Sequence, residues 1–477
     1  MNLPHKLLAT SRREFLQRAG CGFGALAFNY LLGLDALMAK EDGSIILDPL
    51  APKKPHHTPK AKSVIWLFME GGPSHVDLFD PKPALEKLAG KPMPASFGRP
   101  LTAMGTAGNT IMPSRRKFKQ HGQSGLWVSD WYPEIAQHVD DIAVIRSCWA
   151  EGLNHVGACC QMNTGDILAG RPSLGAWSIY GLGTANQNLP TFVVLLDAED
   201  PHGGSKNWSS GFLPANFEGT LVRSEGPPIF HLAPPKTISA KQQRSKLDLL
   251  AELNKHFSAN KPNETELAAR LNSYELAYRM QAAAPEAVDL SQESDATKKL
   301  YGLDDKTTER FGKNCLLARR LVERGVRFVQ LYCGSGGGWD AHEDLEGNHS
   351  KYCKISDRPI AGLLTDLKAR GLLKDTLVVW GGEFGRTPFN EKGKGRDHNP
   401  WGFTTWMAGG GVKGGTVVGA TDEIGLRATE QRAHVHDLHA TILHLMGLNN
   451  EKLTFPHNGR DERPTINDGE VIQDLLA

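Results

Sequence analysis

The chain has 477 residues and a formal net charge of +1, with 22% of its residues charged. No basic stripe or long charge run accompanies that balance, which argues against nucleic acid as a partner. The length suits one large α/β domain with insertions or two domains, and the 51 glycines and 28 prolines imply many loops.

Residues 1–39 read as a twin-arginine signal peptide: Ser11-Arg12-Arg13-Glu14-Phe15-Leu16 precedes a modest apolar stretch. Asn29 and Asp35 interrupt that stretch, so it makes a poor membrane span. The expectation is a periplasmic or secreted protein, handled by the twin-arginine translocase and cleaved near Ala39. Residues 40–62, rich in Pro, Lys and His, read as a linker to a domain over 63–477. Cys21 leaves with the signal. Cys148, Cys159, Cys160, Cys315, Cys333 and Cys353 remain, read mostly as buried thiols.

Ser63–Met69 is a short continuous apolar run that suits a buried parallel strand. Further strands are expected over 142–145, 191–196, 327–332, 376–380 and 403–408. Helical periodicity covers 240–282 and 304–325, read as a helical insertion near 240–325. Helices are also expected from Asp357 to Arg370, closed by Gly371, and from Asp437 to Met446, closed by Gly447. Strands alternating with helices predict an α/β fold, a mostly parallel central sheet with helices on both faces. Ligands bind such a sheet at the C-terminal ends of its strands.

Polar residues concentrate at those ends. Glu70, Ser74, His75, Asp77, Asp80 and Lys82 follow the first strand, and Asn154-His155 the second. Asp340 and His342 follow the fourth strand, Glu383 and Arg386 the fifth. Asp397-His398 stand a short loop later, and His434-Val-His436-Asp437 precede the last helix. Carboxylates and neutral imidazoles ligate Zn, Mn or Fe, and carboxylates with water suit Mg or Ca. Candidate metal ligands are therefore Asp77, Asp340, His342, Glu383, Asp397, His398 and His436, holding one or more divalent ions such as Zn, Mn, Mg or Ca. Candidate catalytic residues are His155, Asn154 and Arg386. The same positions have plainer readings: Asp340 as a helix cap, Glu383 as an internal partner of Arg386, Asp397-His398 as a turn, Asp437 as a cap. Lys82 and Arg396 suit a substrate anion or an internal carboxylate equally.

Phe68-Met-Glu-Gly-Gly-Pro-Ser-His-Val-Asp77-Leu-Phe-Asp80-Pro-Lys-Pro83, Gly338-Trp-Asp-Ala-His342, Gly382-Glu-Phe-Gly-Arg-Thr-Pro388, Gly395-Arg-Asp-His398 and Ala408-Gly-Gly-Gly-Val-Lys-Gly-Gly415 resemble the domain-of-unknown-function family 1501. That resemblance implies an alkaline phosphatase-like, sulfatase-like metal hydrolase acting on a small-molecule or polysaccharide ester. It implies that Asp340 and His342 stand for the Asp…His pair of a first metal and His398 for an isolated late histidine. Glu383 would take the strand-end place of an Asp-His pair, and Glu70 or Asp77 that of a first-strand carboxylate. The chain departs from this pattern at Phe384, which follows Glu383, and at Asn154, where a nucleophilic hydroxyl or thiol is expected. Nor is there a Cys-x-Pro-x-Arg motif. The expectation is therefore hydrolysis by metal-activated water, with His155 as base or ligand, and Thr164 and Cys159 as poorer candidates. The alternative is a non-catalytic envelope or polysaccharide-binding protein that keeps the hydrolase fold.

Overall fold

In the computed structural model, residues 49–184, 186–223, 237–259, 265–467 and 469–477 are described; the twin arginines and the cleavage region lie outside them. Strand β1 (Ser63–Met69) is buried at every position. Ile65, Leu67 and Met69 enter one apolar core, and Val64, Trp66 and Phe68 another. Full burial of each such large apolar side chain stabilises by about 1.5–3 kcal/mol, so β1 holds the centre of the sheet. It pairs in parallel with β5 (Phe328–Cys333), Val64 opposite Phe328, and with β6 (Thr376–Gly381), Ser63 opposite Thr376.

The remaining strands of the main sheet are β2 (Ile142–Trp149), β3 (Phe192–Leu196), β4 (Thr220–Arg223), β9 (Phe403–Ala408), β10 (Val417–Val418) and β11 (Ala433–His434). Among the described residues they form a nine-stranded sheet ordered β10-β2-β9-β6-β1-β5-β3-β4, with β11 also on β2. The sheet is mostly parallel, as expected; β9 runs antiparallel to both β2 and β6. Helices α5 (Glu309–Glu323) and α6 (Leu345–Ala369) cover one face, where Leu316, Leu321, Leu363 and Leu367 join the core of Ile65. Helices α1 (His155–Thr164), α2 (Leu174–Leu182) and α7 (Val435–Leu445) cover the other through Met162, Trp177, Leu438 and Ile442. Helices α3 (Ala240–Ala259) and α4 (Thr265–Val288) precede α5. Because α5 covers the sheet, that part of the 240–325 region is a layer of the core.

Several boundaries differ from the sequence reading. Helix α6 begins at Leu345, capped by Asp344, and carries Pro359 inside it; Gly347 and Pro359 hide its first half from periodicity. His434, not Asp437, is the N-cap of α7, and Asp437 closes a capping box from the third helical position. Residues 385–399, for which no strand is expected from the sequence, form the buried antiparallel hairpin β7 (Gly385–Glu391) and β8 (Gly395–Asn399). The stretch from Pro49 to Lys62 lies on the domain: Lys60 and Ala61 donate their backbone N–H groups to Leu445 O. Among the described residues, the six cysteines are buried free thiols.

Candidate metal centre

The turns after β1, β5 and β6 are locked together before any site side chain is placed. Gly71 sits at φ +115°, where a Cβ would lie 2.4 Å from the backbone N of Asp340. Only glycine allows that approach. The Gly71 N–H is shared between the two carboxylate oxygens of Glu383 at 3.0 and 3.1 Å. The Trp339 N–H donates to Glu70 O at 2.8 Å. Three strand ends thus converge on one small volume.

Within it, one nitrogen each of His155, His342 and His398 and one oxygen of Asp340 lie within 4.8 Å of one another. His155 is the first residue of α1, at the C-terminal end of β2. Asp340 and His342 follow β5, and His398 lies on β8. Nε2 of His342 is 2.9 Å from Asp340 Oδ1 and 3.0 Å from Nε2 of His398. Nε2 of His155 is 3.3 Å from Asp340 Oδ2, yet makes no well-formed hydrogen bond.

Each ring is held from behind through Nδ1. His155 faces Glu383 Oε1 at 2.7 Å, His342 faces Glu391 Oε2 at 2.5 Å, and His398 faces Leu153 O at 2.7 Å. A carboxylate or carbonyl on Nδ1 assigns the proton there and leaves a lone pair on Nε2. Three such lone pairs and a carboxylate facing one another repel unless a cation or extra protons lie among them. This donor set, with its outer acceptors, fits a divalent transition metal. Without an ion, protons take its place. Burial disfavours charging His155, but the Asp340 and Glu383 carboxylates outweigh it and push the ring up to about 9. His342 is raised despite burial by Asp340 and Glu391, whereas burial keeps His398 below the usual histidine value. Asp340 is partly buried, yet the three rings and Arg386 hold its carboxyl far below the usual range.

The other candidate residues stand elsewhere or act differently. Arg386 is fully buried and donates to Gly72 O, Arg396 O, Gly71 O and Asp340 Oδ1, so it fixes Asp340 and not Glu383. Asn154 is the N-cap of α1 and takes the Gly157 N–H at 3.0 Å. Asp77 is outside the cluster, paired with Arg396 at 2.9 Å and bonded to Ser74 Oγ. His436 is also outside it, its ring between Gly165 O and Asn467 O. Asp397 is beside it: with His342 and Glu391 it makes an adjoining group, and its oxygens accept from Met104 N, Thr106 Oγ1 and His398 N. Lys82 pairs with Asp80. Glu391 and His202 were not singled out from the sequence. Glu391 ends β7 amid polar residues, and His202 stands in a long loop, so neither carries a local signal. A cavity of about 610 Å³ opens beside Asp340 and His342, lined also by Met104, Glu343, Asn348, Glu391 and Lys392.

A comparison with curated proteins finds no match. Among solved structures, the chain is similar to the PsFucS1 sulfatase from Pseudoalteromonas sp., at 13% identity and a TM-score of 0.35, covering 89% of this chain and 72% of that one. It is similar to the lipoteichoic acid synthase LtaP from Listeria monocytogenes, at 9% identity and a TM-score of 0.36, covering 84% and 77%. It is also similar to alkaline phosphatase from the Antarctic bacterium TAB5, at 10% identity and a TM-score of 0.32, covering 74% and 92%. The model of the family described as "Protein of unknown function (DUF1501)" matches residues 61–476, and the chain belongs to that family.

Proposed function

We propose that this protein is an exported, metal-dependent hydrolase of phosphate or sulfate esters. The observation that carries the reading is the convergence of three imidazoles and Asp340, each ring held through Nδ1 by an acceptor. An imidazole-rich set with one carboxylate suits Zn²⁺ or Mn²⁺ better than Mg²⁺ or Ca²⁺. Such an ion supplies Lewis acidity and lowers the pKa of a coordinated water. The chain's own residues hold that chemistry in place. Glu383 and Glu391 orient His155 and His342, Arg386 fixes Asp340, and the adjoining cavity admits the ester.

Side-chain nucleophiles near α1 are poorly placed. The Cys159 thiol is buried and pushed well above its ordinary pKa by that burial, and the Thr164 hydroxyl donates to Cys160 O at 2.8 Å. A second reading, a binding protein that keeps the metal centre without turnover, is favoured by Asn154 acting as a cap. Metal analysis of protein purified without chelators, with hydrolysis of p-nitrophenyl phosphate and sulfate, tests both. Stoichiometric metal that Asp340→Ala loses, together with turnover, supports the hydrolase; metal without turnover on any ester favours the binder. Absence of metal, with no rise in melting temperature on adding Zn²⁺, Mn²⁺ or Mg²⁺, overturns both. Export rests on Arg12-Arg13. Replacing both by lysine should leave the protein in the cytoplasm; undiminished export would remove that part of the reading.

A further inference from the structure

His202 stands in the loop after β3, and the fold holds it against the centre. Glu70, fully buried at the end of β1, accepts the backbone N–H of His202 at 2.6 Å and faces its Nδ1 at 2.7 Å. The other oxygen of Glu70 accepts the Gly336 N–H at 2.9 Å. The His202 ring stacks on His155, with centroids 4.7 Å apart and planes 25° from parallel. Gly337 backs its edge: a Cβ there would lie 2.8 Å from His202 Cε1. Gly337 O in turn accepts the Asp340 N–H at 3.0 Å. One turn therefore both carries Asp340 and sets the ring that lies on His155.

The Cβ tether and a carboxylate on Nδ1 restrain an imidazole, but a hydrogen bond tolerates about 30° of tilt before it weakens. For His155, the tether and Glu383 leave that tilt open, and packing on the ring face narrows it. Phe384 and His398 meet the ring at steeper angles, 46° and 70°. His202 supplies the near-parallel face. We propose that His202, anchored by Glu70, is a positioning residue that fixes the plane of His155 and hence the aim of its Nε2 toward the metal. This inference rests on the metal-centre reading and adds a dependence on a loop residue that no metal donor requires.

The test uses full-length protein stripped of metal and titrated with Co²⁺, reading the d–d absorption spectrum and the dissociation constant. His202→Ala should weaken Co²⁺ binding by about 10- to 100-fold, the usual effect of losing an outer-shell support, and alter the spectrum. His202→Phe restores a stacking face and leaves Glu70 its two backbone donors, so it should recover most of the affinity and the wild-type spectrum. If His202→Ala does not fold, His202→Gln, which lacks a ring, is read in its place. Wild-type binding and spectrum in the ring-less variant, or a loss in His202→Phe as large as in that variant, overturns the inference. Failure of the wild-type protein to bind Co²⁺ is a different result: it overturns the metal reading on which the inference stands.

Discussion

Glu383 has no solvent exposure and serves two donors, the Gly71 N–H and Nδ1 of His155. It therefore closes the turn after β1 and aims a candidate ligand with one carboxylate. Changing it to Gln leaves the shape but removes the charge and offers an N–H where an acceptor is needed. Glu383→Gln should lower metal affinity about 10- to 100-fold, measured by calorimetric titration of the stripped protein; unchanged affinity would mean that His155 is not a ligand. At this scale the sequence reading had a physical handle on Asp340, His342, Glu383 and His398, because polar residues at strand ends face solvent or a site. It had none on Glu391, whose partner His342 is 49 positions away in the chain. Asp77 drew attention for the same reason as Asp340. The fold instead sets it 2.9 Å from Arg396, a pairing that only the hairpin of β7 and β8 creates.

Helix α1 shows how an element can imitate a catalytic feature. Its start lies where a nucleophile is expected, yet Asn154 uses its side chain to cap the helix, with an extended backbone at φ −111°. Asn154→Ala should cost about 1 kcal/mol of stability by losing that cap, read by urea unfolding, and leave metal content unchanged. A loss of metal larger than the loss of stability explains would restore a direct role. β1, β5 and β6 were legible because strands buried on both faces are continuous apolar runs. The hairpin of β7 and β8 was not: its buried Arg386, Arg396, Asp397 and His398 look like loop residues until their partners are known. The first half of α6 was hidden by Gly347 and Pro359, which local propensity reads as breaks.

Across the whole molecule, buried neutral histidines contribute to the response to acid. Burial pushes His75 down to about 4, and His349 and His439 to about 3. Unfolded, these rings titrate near about 6.5. Between that value and the folded ones the unfolded chain binds more protons. Stability therefore falls as pH falls, by up to about 1.4 kcal/mol per pH unit for each ring. Asp357 acts in the opposite sense: burial raises it to about 7, so its contribution grows as pH falls toward the unfolded value. Below about pH 6 these three rings lower stability on acidification, and Asp357 offsets part of that loss. His349 accepts the Ser74 N–H through Nε2 at 2.9 Å, a bond its protonation would break. His349→Gln should make the fall of melting temperature between pH 6 and 4 shallower by about one proton's worth; an unchanged slope would show that this ring does not titrate on unfolding.

Pro49 to Lys62 meet the domain at Leu182, Leu445 and Gly447, and lead into the N-terminal end of β1. The carboxylate–imidazole cluster lies at the opposite end of that strand. A surface or carrier coupled at residue 49 would hold the domain by its back and leave the cavity facing the medium. One coupled at Lys392, which lines the cavity, would obstruct it. For immobilisation, that makes the N-terminal edge the favourable handle and the lip at Lys392 the one to avoid.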